Sequence, residues 1–384
     1  MSESLSADAA TAPLRVSALE VRQILLPLRE PFRISSGVVS ERRILLARLE
    51  DEAGAVAWSE CVAGEEPNYS SETVDTAWLA LREWLAPRLL AGPVSAADAD
   101  AVLRRDLRGH RMASATLEMG MWELAARAAG VPLARLLGGL RDTVEVGISL
   151  GIQASPAALV ERATAAAGAG YRRIKLKIGP GRDIAYVAAV REALGDDVVL
   201  TVDANSAYTP ADSDHLSRLD AFGLAMIEQP LEAGDLVRHA ALQRRLRTAL
   251  CLDESITSAA RAEDMIALGS GRIVNIKPGR VGGLGESRRI HDVCVAAGVP
   301  VWCGGMLESG VGRGYNVALA SLPGFTLPGD ISPSARYWER DVVVPEWTMT
   351  DGLVRVPEGA GTGVEVDAGR VDDLTIRREV LLAR

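Results

Sequence analysis

Apolar and polar positions follow two different rhythms along this chain, and the change from one to the other divides it. Between residues 16 and 61, three runs rich in β-branched and aliphatic residues (21–26, 44–49 and 55–59) are separated by turn-forming Pro, Gly and Asp, which predicts an antiparallel meander. Ser71 then opens a helical stretch over residues 72–90, where Trp78, Leu81, Trp84 and Leu85 recur at helix spacing. Residues 112–129 repeat that pattern before Gly130 and Pro132. Strands followed by helices predict an α+β capping domain over residues 16–142. From residue 143 the rhythm changes: short apolar runs at 144–152, 173–178, 198–202, 224–227, 250–252, 272–276, 299–302 and 325–327 alternate with helical stretches. That alternation predicts an α/β fold with a parallel barrel over residues 143–336. A doubly wound sheet is the rival, but it requires no polar residue at every strand end, and here one recurs. Residues 337–384, with a turn at Asp351-Gly352, are expected to pack back on the capping domain. Residues 1–15, polar and alanine-rich, read as a disordered leader rather than an export signal.

Composition narrows the class. A length of 384 residues accommodates a barrel and a smaller domain, and 48% hydrophobic with 24% charged residues is the balance of a globular protein. No apolar run approaches the roughly 20 residues of a membrane helix. A net charge of -9, without a basic stripe, argues against nucleic acid as a partner. Cys61, Cys251, Cys294 and Cys303 form no CxxC and sit among apolar residues, as reduced cytosolic thiols do, so the cytoplasm is the expected compartment. Barrels of this kind associate through their small domains, which makes a homo-oligomer the expectation.

Polar residues at the predicted strand ends carry the chemistry. They are Lys175 and Lys177, Asp203 and Asn205, Glu228, Asp253 and Glu254, and Lys277, with successive groups about 25 residues apart, one strand-helix unit each. They therefore occupy successive positions around one rim. Asp203, Glu228 and Asp253 form an all-oxygen ligand set suited to Mg²⁺ or Mn²⁺. A single carboxylate of this kind is usually a helix cap or a surface residue; three in register are not. Lys175 and Lys177, two apart, leave one strand on the same face, and two crowded ammonium groups are expected to depress the pKa of one, making it a general base. Lys277 comes from beyond the carboxylates, so a substrate would lie between lysines. Such a site suits removal of a proton from carbon next to a carboxylate, and sites with a Lys or His base and Mg²⁺ are those of the enolase superfamily. Three signals are weaker. Gly282-Gly283-Leu284-Gly285 is either a phosphate cradle or a tight turn, with the turn favoured because the P-loop Lys-Ser is missing. His110, His215, His239 and His291 form no zinc motif. Ser149 is a substrate donor or a small core residue.

Several runs carry a closer resemblance: Ile174-Lys175-Leu176-Lys177, Val202-Asp203-Ala204-Asn205-Ser206, Ile227-Glu228-Gln229-Pro230-Leu231, Leu252-Asp253-Glu254-Ser255, Asn275-Ile276-Lys277-Pro278-Gly279-Arg280 and Gly304-Gly305-Met306-Leu307-Glu308-Ser309-Gly310. With them the chain resembles the o-succinylbenzoate synthase and N-acylamino acid racemase group, in the muconate lactonizing branch of the enolase superfamily, over nearly its whole length after the leader. The resemblance implies a modified (β/α)7β TIM barrel with an N-terminal α+β capping domain. It implies Asp203, Glu228 and Asp253 as ligands of Mg²⁺, or of Mn²⁺ in its place, and Lys177 and Lys277 on either side of a small carboxylate substrate. Lys175 would tune Lys177 and hydrogen-bond the substrate carboxylate. Asn205 would stand beside the metal, and Ser149, Gly305 and Met306 would line the pocket for the succinyl or acyl part. Two departures stand out: in the lid, after Phe32-Arg33, an aromatic cover is missing at Ser36, for which Tyr69 could compensate, and in the loop 179–183 Arg182 stands where Trp is usual. The activity implied is dehydration of 2-succinyl-6-hydroxy-2,4-cyclohexadiene-1-carboxylate in menaquinone synthesis, with N-succinyl or N-acylamino acid racemisation as the alternative. Muconate cycloisomerase and dipeptide epimerase rank below these, the latter because Asp330-Ile331-Ser332 lacks an Asp-x-Asp pair, and a non-catalytic binding barrel ranks last.

Overall fold

The computed structural model describes residues 8–34 and 37–383. Strands β1 (Val16–Ile34), β2 (Gly37–Asp51) and β3 (Val56–Cys61) form the meander, with β1 and β2 reaching well beyond the apolar runs that mark them in the sequence. Their alternation buries both faces. Leu19, Val21, Leu45, Ala47 and Leu49 pack with the cap helices, while Ile24, Leu26, Ile44 and Leu46 join the core shared with the barrel. The first cap helix runs from Val74 to Leu90 with one wider turn at Leu81–Leu85, and its cap is Thr73 rather than Ser71. The second is Arg111–Ala129, close to its sequence bounds.

Seven parallel strands follow in chain order: β4 (Gly147–Leu150), β5 (Arg173–Lys177), β6 (Leu200–Asp203), β7 (Ile227–Glu228), β8 (Leu250–Leu252), β9 (Ile273–Ile276) and β10 (Val301–Cys303). The strand expected at residues 325–327 does not form. Pro323, Gly324, Pro328 and Gly329 flank that stretch, and the two prolines have no N–H to donate to a ladder. Single parallel bridges, Val301 to Phe325 and Val146 to Gly329, close the barrel instead. The expected first strand is split as well: Thr143–Glu145 pairs antiparallel with Leu353–Arg355, and only Gly147–Leu150 joins the barrel sheet. The last strand, β11 (Thr375–Leu382), pairs antiparallel with β1 at the edge of the cap sheet. Asp351-Gly352 makes the predicted turn with both φ angles positive.

The leader reading needs correction for its second half. Residues 8–11 are helical, Pro13–Leu14 pairs with Val94–Ser95, and Ala10 is buried. A few apolar anchors outweigh a polar average. Residues 1–7 lie outside the described residues.

Buried glutamates fasten the cap to the barrel. Glu118, on the second cap helix, accepts hydrogen bonds from the backbone N–H groups of Leu284 (2.7 Å) and Gly285 (2.8 Å), at the start of the barrel helix Leu284–Ala296. Glu60, at the end of β3, accepts from the N–H of Ser309 (3.1 Å) and Gly312 (2.9 Å), at the start of helix Gly310–Ala320. Each carboxylate meets the positive end of a helix. The Gly282-Gly283-Leu284-Gly285 run is thus a tight turn holding a carboxylate of the chain itself, and a Cβ at Gly283 would collide with Glu118. Burial nevertheless pushes Glu118 up to about 7 and Glu60 up to about 8.

Candidate active site

Inside the barrel, polarity changes with depth. Met226, Cys251, Ile273 and Trp302 form an apolar layer at the bottom. Above it, at the carboxyl ends of β5 to β9, stand Lys175, Lys177, Asp203, Glu228, Asp253 and Lys277. Strand register aligns Lys177 with Asp203 and Asp203 with Glu228, so neighbouring strands deliver these side chains at one level. Local backbone supports that placement: Asn205, Ser206 and Gln229, just beyond β6 and β7, hold positive φ, a strain that functional rims retain. The Gln229 side chain accepts from the N–H of Asp253 (3.0 Å) and of Ser255 (3.2 Å), splinting two strand ends.

The lysines divide the carboxylates between them. Lys177 Nζ donates to Asp203 Oδ2 and to Asn205 Oδ1, both at 2.6 Å. Lys175, 3% exposed, lies 3.2 Å from the same Asp203 oxygen, 2.9 Å from Glu228 and 2.7 Å from Asp330. Lys277, 6% exposed, donates to Asp253 (2.8 Å) and to the Tyr69 hydroxyl (3.0 Å), which in turn donates to Asp253 (3.2 Å). Arg280 also contacts Asp253 and donates to the carbonyls of Ile256 and Asn275. Asn205 donates to Glu254 (3.0 Å), and Asn275 to Glu228 (2.7 Å). Among the described residues, no three acidic, histidine or cysteine side chains are gathered closely enough to hold a metal ion as they stand; lysine and arginine supply the countercharge.

Electrostatics follows from this crowding. Burial disfavours the charge of Asp203, but Lys177 and Lys175 hold it ionised, well below the usual carboxylate range; at Asp253 burial is likewise outweighed, and Lys277 and Arg280 lower its pKa. Glu228 goes the other way, to about 7, through burial and the neighbouring Asp203. Glu254 rises to about 8 through burial, Asp253 and Asp203. Lys175 is not the lysine whose pKa falls: burial pulls it down, but Asp330, Glu228 and Asp203 outweigh burial and hold it well above the ordinary value. Lys277 is raised in the same way, with Asp253 outweighing burial.

The predicted pocket residues scatter. Ser149 is buried next to Lys175 in register, its Oγ without a partner among the described residues. Gly305 is packed so closely that a Cβ would lie 2.7 Å from the Asp330 carbonyl, and Met306 packs on the cap core. Tyr69, expected as a cover, reaches inside to Lys277 and Asp253, and with Asn68, Asn205, Ser206, Glu232 and Glu254 it lines the opening. Phe32, also expected to touch the substrate, lines a groove with Tyr337 and with Gly151 and Gln153, just beyond the end of β4. Ser36 is outside the described residues. Arg182 closes a tight loop through its N–H to the Gly179 carbonyl (2.8 Å).

The strand-end reading did not find Arg173, Arg280 or Asp330 as members of the cluster. For Arg173 a signal existed: it precedes Lys175 and Lys177 at the same two-residue spacing and must share their face. A plainer signal lies in the count. The chain contains only three lysines, and all three stand here.

Comparison with known proteins gives the family. Residues 17–138 match the mandelate racemase/muconate lactonizing enzyme N-terminal domain, and residues 158–370 match the enolase C-terminal domain-like family. An N-succinylamino acid racemase from an Amycolatopsis species is 50% identical over 363 residues, covering 94% of this chain and 98% of that protein. An o-succinylbenzoate synthase from Geobacillus stearothermophilus is 47% identical over 362 residues, 94% of this chain and 96% of that protein. The crystal structure of an enolase superfamily member from Listeria innocua superposes with a TM-score of 0.93 at 36% identity, covering 97% of this chain and all of that one. The chain belongs to the mandelate racemase/muconate lactonizing enzyme family of the enolase superfamily.

Proposed function

We propose that this protein is an o-succinylbenzoate synthase that dehydrates 2-succinyl-6-hydroxy-2,4-cyclohexadiene-1-carboxylate, and that the same site racemises N-succinylamino acids. The observation that carries the reading is the placement of lysine. Arginine serves everywhere else that a cation is needed, yet arginine does not give up its proton in proteins, whereas an ammonium group does. Confining lysine to the two flanks of a carboxylate cluster fits proton transfer next to a carboxylate.

In this reading Lys177 Nζ takes the proton from the carbon α to the substrate carboxylate, leaving the substrate as an enediolate. In dehydration the C–O bond to the ring hydroxyl then breaks, and Lys177 returns the proton so that water leaves. In racemisation Lys277, held as an ammonium, delivers a proton to the opposite face. Its support by Asp253 and Tyr69 favours this second activity, since a one-base dehydration does not need it. Lys175 remains a cation facing the substrate carboxylate, and Asn205 steadies Lys177.

Asp203, Glu228 and Asp253 would hold a divalent cation, Mg²⁺ or Mn²⁺. The donor chemistry fits: three buried carboxylates stand on adjacent strands beside Glu254, whose buried Oε2 meets no partner among the described residues. When bound, that cation supplies positive charge to the carboxylate of a very weak carbon acid. Dipeptide epimerisation fits less well, because Asp330 is committed to Arg173 and Lys175 rather than free for an ammonium group. The test is incubation of the purified protein with Mg²⁺ and each substrate, following aromatisation by absorbance and α-hydrogen exchange of N-succinyl amino acids in D₂O. Absence of both reactions would remove the reading.

A further inference from the structure

Lys175 is gripped from below by residues that belong to none of the roles above. We infer that Asp330, backed by Arg173 and Trp302, is a positioning residue that fixes the Lys175 ammonium against the substrate carboxylate. The inference rests on the proposed proton transfer at this site.

Asp330 comes from the irregular segment that closes the barrel, and its backbone is pinned on both sides. Its N–H donates to the Cys303 carbonyl (2.9 Å), and its carbonyl accepts from Arg313 (2.9 Å). Its carboxylate bridges two cations of β5: one oxygen takes Arg173 at 2.5 Å and the other takes Lys175 at 2.7 Å. The Trp302 ring lies beneath both, 4.0 Å from the Arg173 guanidinium and 4.8 Å from the Lys175 ammonium. All four side chains are buried. Lys175 has three carboxylate partners, and Asp203 and Glu228 are the two assigned to the divalent cation. Asp330, which also binds Arg173, is the partner with no assigned part in holding that cation, so its hold on Lys175 would not compete with metal binding. A carboxylate anchored through its own backbone is suited to this, since a long lysine chain otherwise keeps several rotamers.

If Asp330 acts through Lys175, its effect must vanish when Lys175 is gone. In a double-mutant cycle of Asp330→Asn and Lys175→Met, Asp330→Asn alone should slow α-hydrogen exchange of an N-succinyl amino acid by about tenfold or more, through kcat rather than KM. In the Lys175→Met background the same change should alter the residual rate by less than about twofold. Mg²⁺ affinity, read by calorimetry, should stay within about threefold of wild type in both singles, because neither residue is an assigned ligand. Asp330→Glu should recover part of the lost rate. Removing one partner of a buried pair can unfold a protein, so Arg173→Met/Asp330→Asn, which removes both charges, carries the same cycle. Wild-type exchange in a folded Asp330 variant, or losses that add fully in the double mutant, would overturn the inference. Inactivity of the wild-type protein would instead count against the proposed function.

Discussion

The two flanks of the site are built differently. Lys177 leaves β5 with Lys175 two residues before it, and its ammonium rests on Asp203 and Asn205, all from two adjacent barrel strands. Lys277 is the one lysine of β9's end; it rests on Asp253, with Arg280 alongside, and on Tyr69, which enters from the cap. The barrel alone makes one flank, while the other is complete only when the cap is seated. A family fold can therefore keep its proton-abstracting side fixed in the barrel and adjust the opposite side through cap residues and cap docking.

The strongest way to break the comparison is at the barrel-made flank. Lys177→Ala should lower both dehydration and racemisation by about 10³-fold or more, because Lys175, the other lysine on Asp203, is itself held by Glu228 and Asp330. Purified variant protein assayed with both substrates decides this, and retention of either activity would move the base elsewhere. Next in size is the carboxylate set shared by the two flanks. EDTA treatment should abolish activity and Mg²⁺ or Mn²⁺ should restore it, and Glu228→Gln should weaken metal affinity and turnover together by about 10- to 100-fold.

A smaller effect should sharpen the comparison. Tyr69→Phe removes a hydroxyl that only the Lys277 flank uses, so it should slow exchange of one enantiomer by several-fold, on the order of 1 kcal/mol, and leave the other nearly unchanged. Equal losses for both enantiomers would mean that the flanks are not separable. Smallest for catalysis, but measurable in stability, is Glu118→Gln in the cap latch. The amide cannot accept at both oxygens, so one of the Leu284 and Gly285 N–H groups loses its partner, at about 1–3 kcal/mol. The folded pKa of Glu118, about 7, lies above the ordinary 4.5, so the folded state binds the extra proton. Its contribution is complete below 4.5 and fades as pH rises towards 7, and Glu118→Gln should flatten that part of the stability profile. Glu60 adds a second slope reaching about 8, which the variant should leave in place. Denaturant unfolding from pH 4.5 to 8 reads both.

What the sequence revealed depended on where a residue's partners lie. Asp203, Glu228, Asp253 and the lysines were legible because a charged residue ending a short apolar run breaks the pattern of a buried strand. Arg280 was hidden within a short helix after β9. Asp330 was hidden because Pro328 and Gly329 blur the strand that would have marked it, and for the same reason residues 325–327 suggested a strand that does not form. The latch role of Glu118 was hidden, since the backbone N–H groups that donate to it from the barrel lie 166 and 167 residues further on, although Trp122, four residues away, also donates to it. The rise at Lys175 was not legible, because Asp330, Glu228 and Asp203 come from other parts of the barrel and only its closure brings them to this ammonium. Pairing of Pro13–Leu14 with Val94–Ser95 and burial of Ala10 escaped an average taken over a polar leader.

The central claim is that proton transfer at this site uses two lysines on opposite flanks, and Lys277→Ala tests it most directly. The variant should be incubated with Mg²⁺ and each enantiomer of an N-succinyl amino acid in D₂O, and the α-hydrogen signal followed by proton NMR. Racemisation should vanish, while one enantiomer, the one facing Lys177, continues to lose its α-hydrogen signal and the other does not. Racemisation at the wild-type rate, or exchange of both enantiomers without Lys277, would contradict the two-flank account.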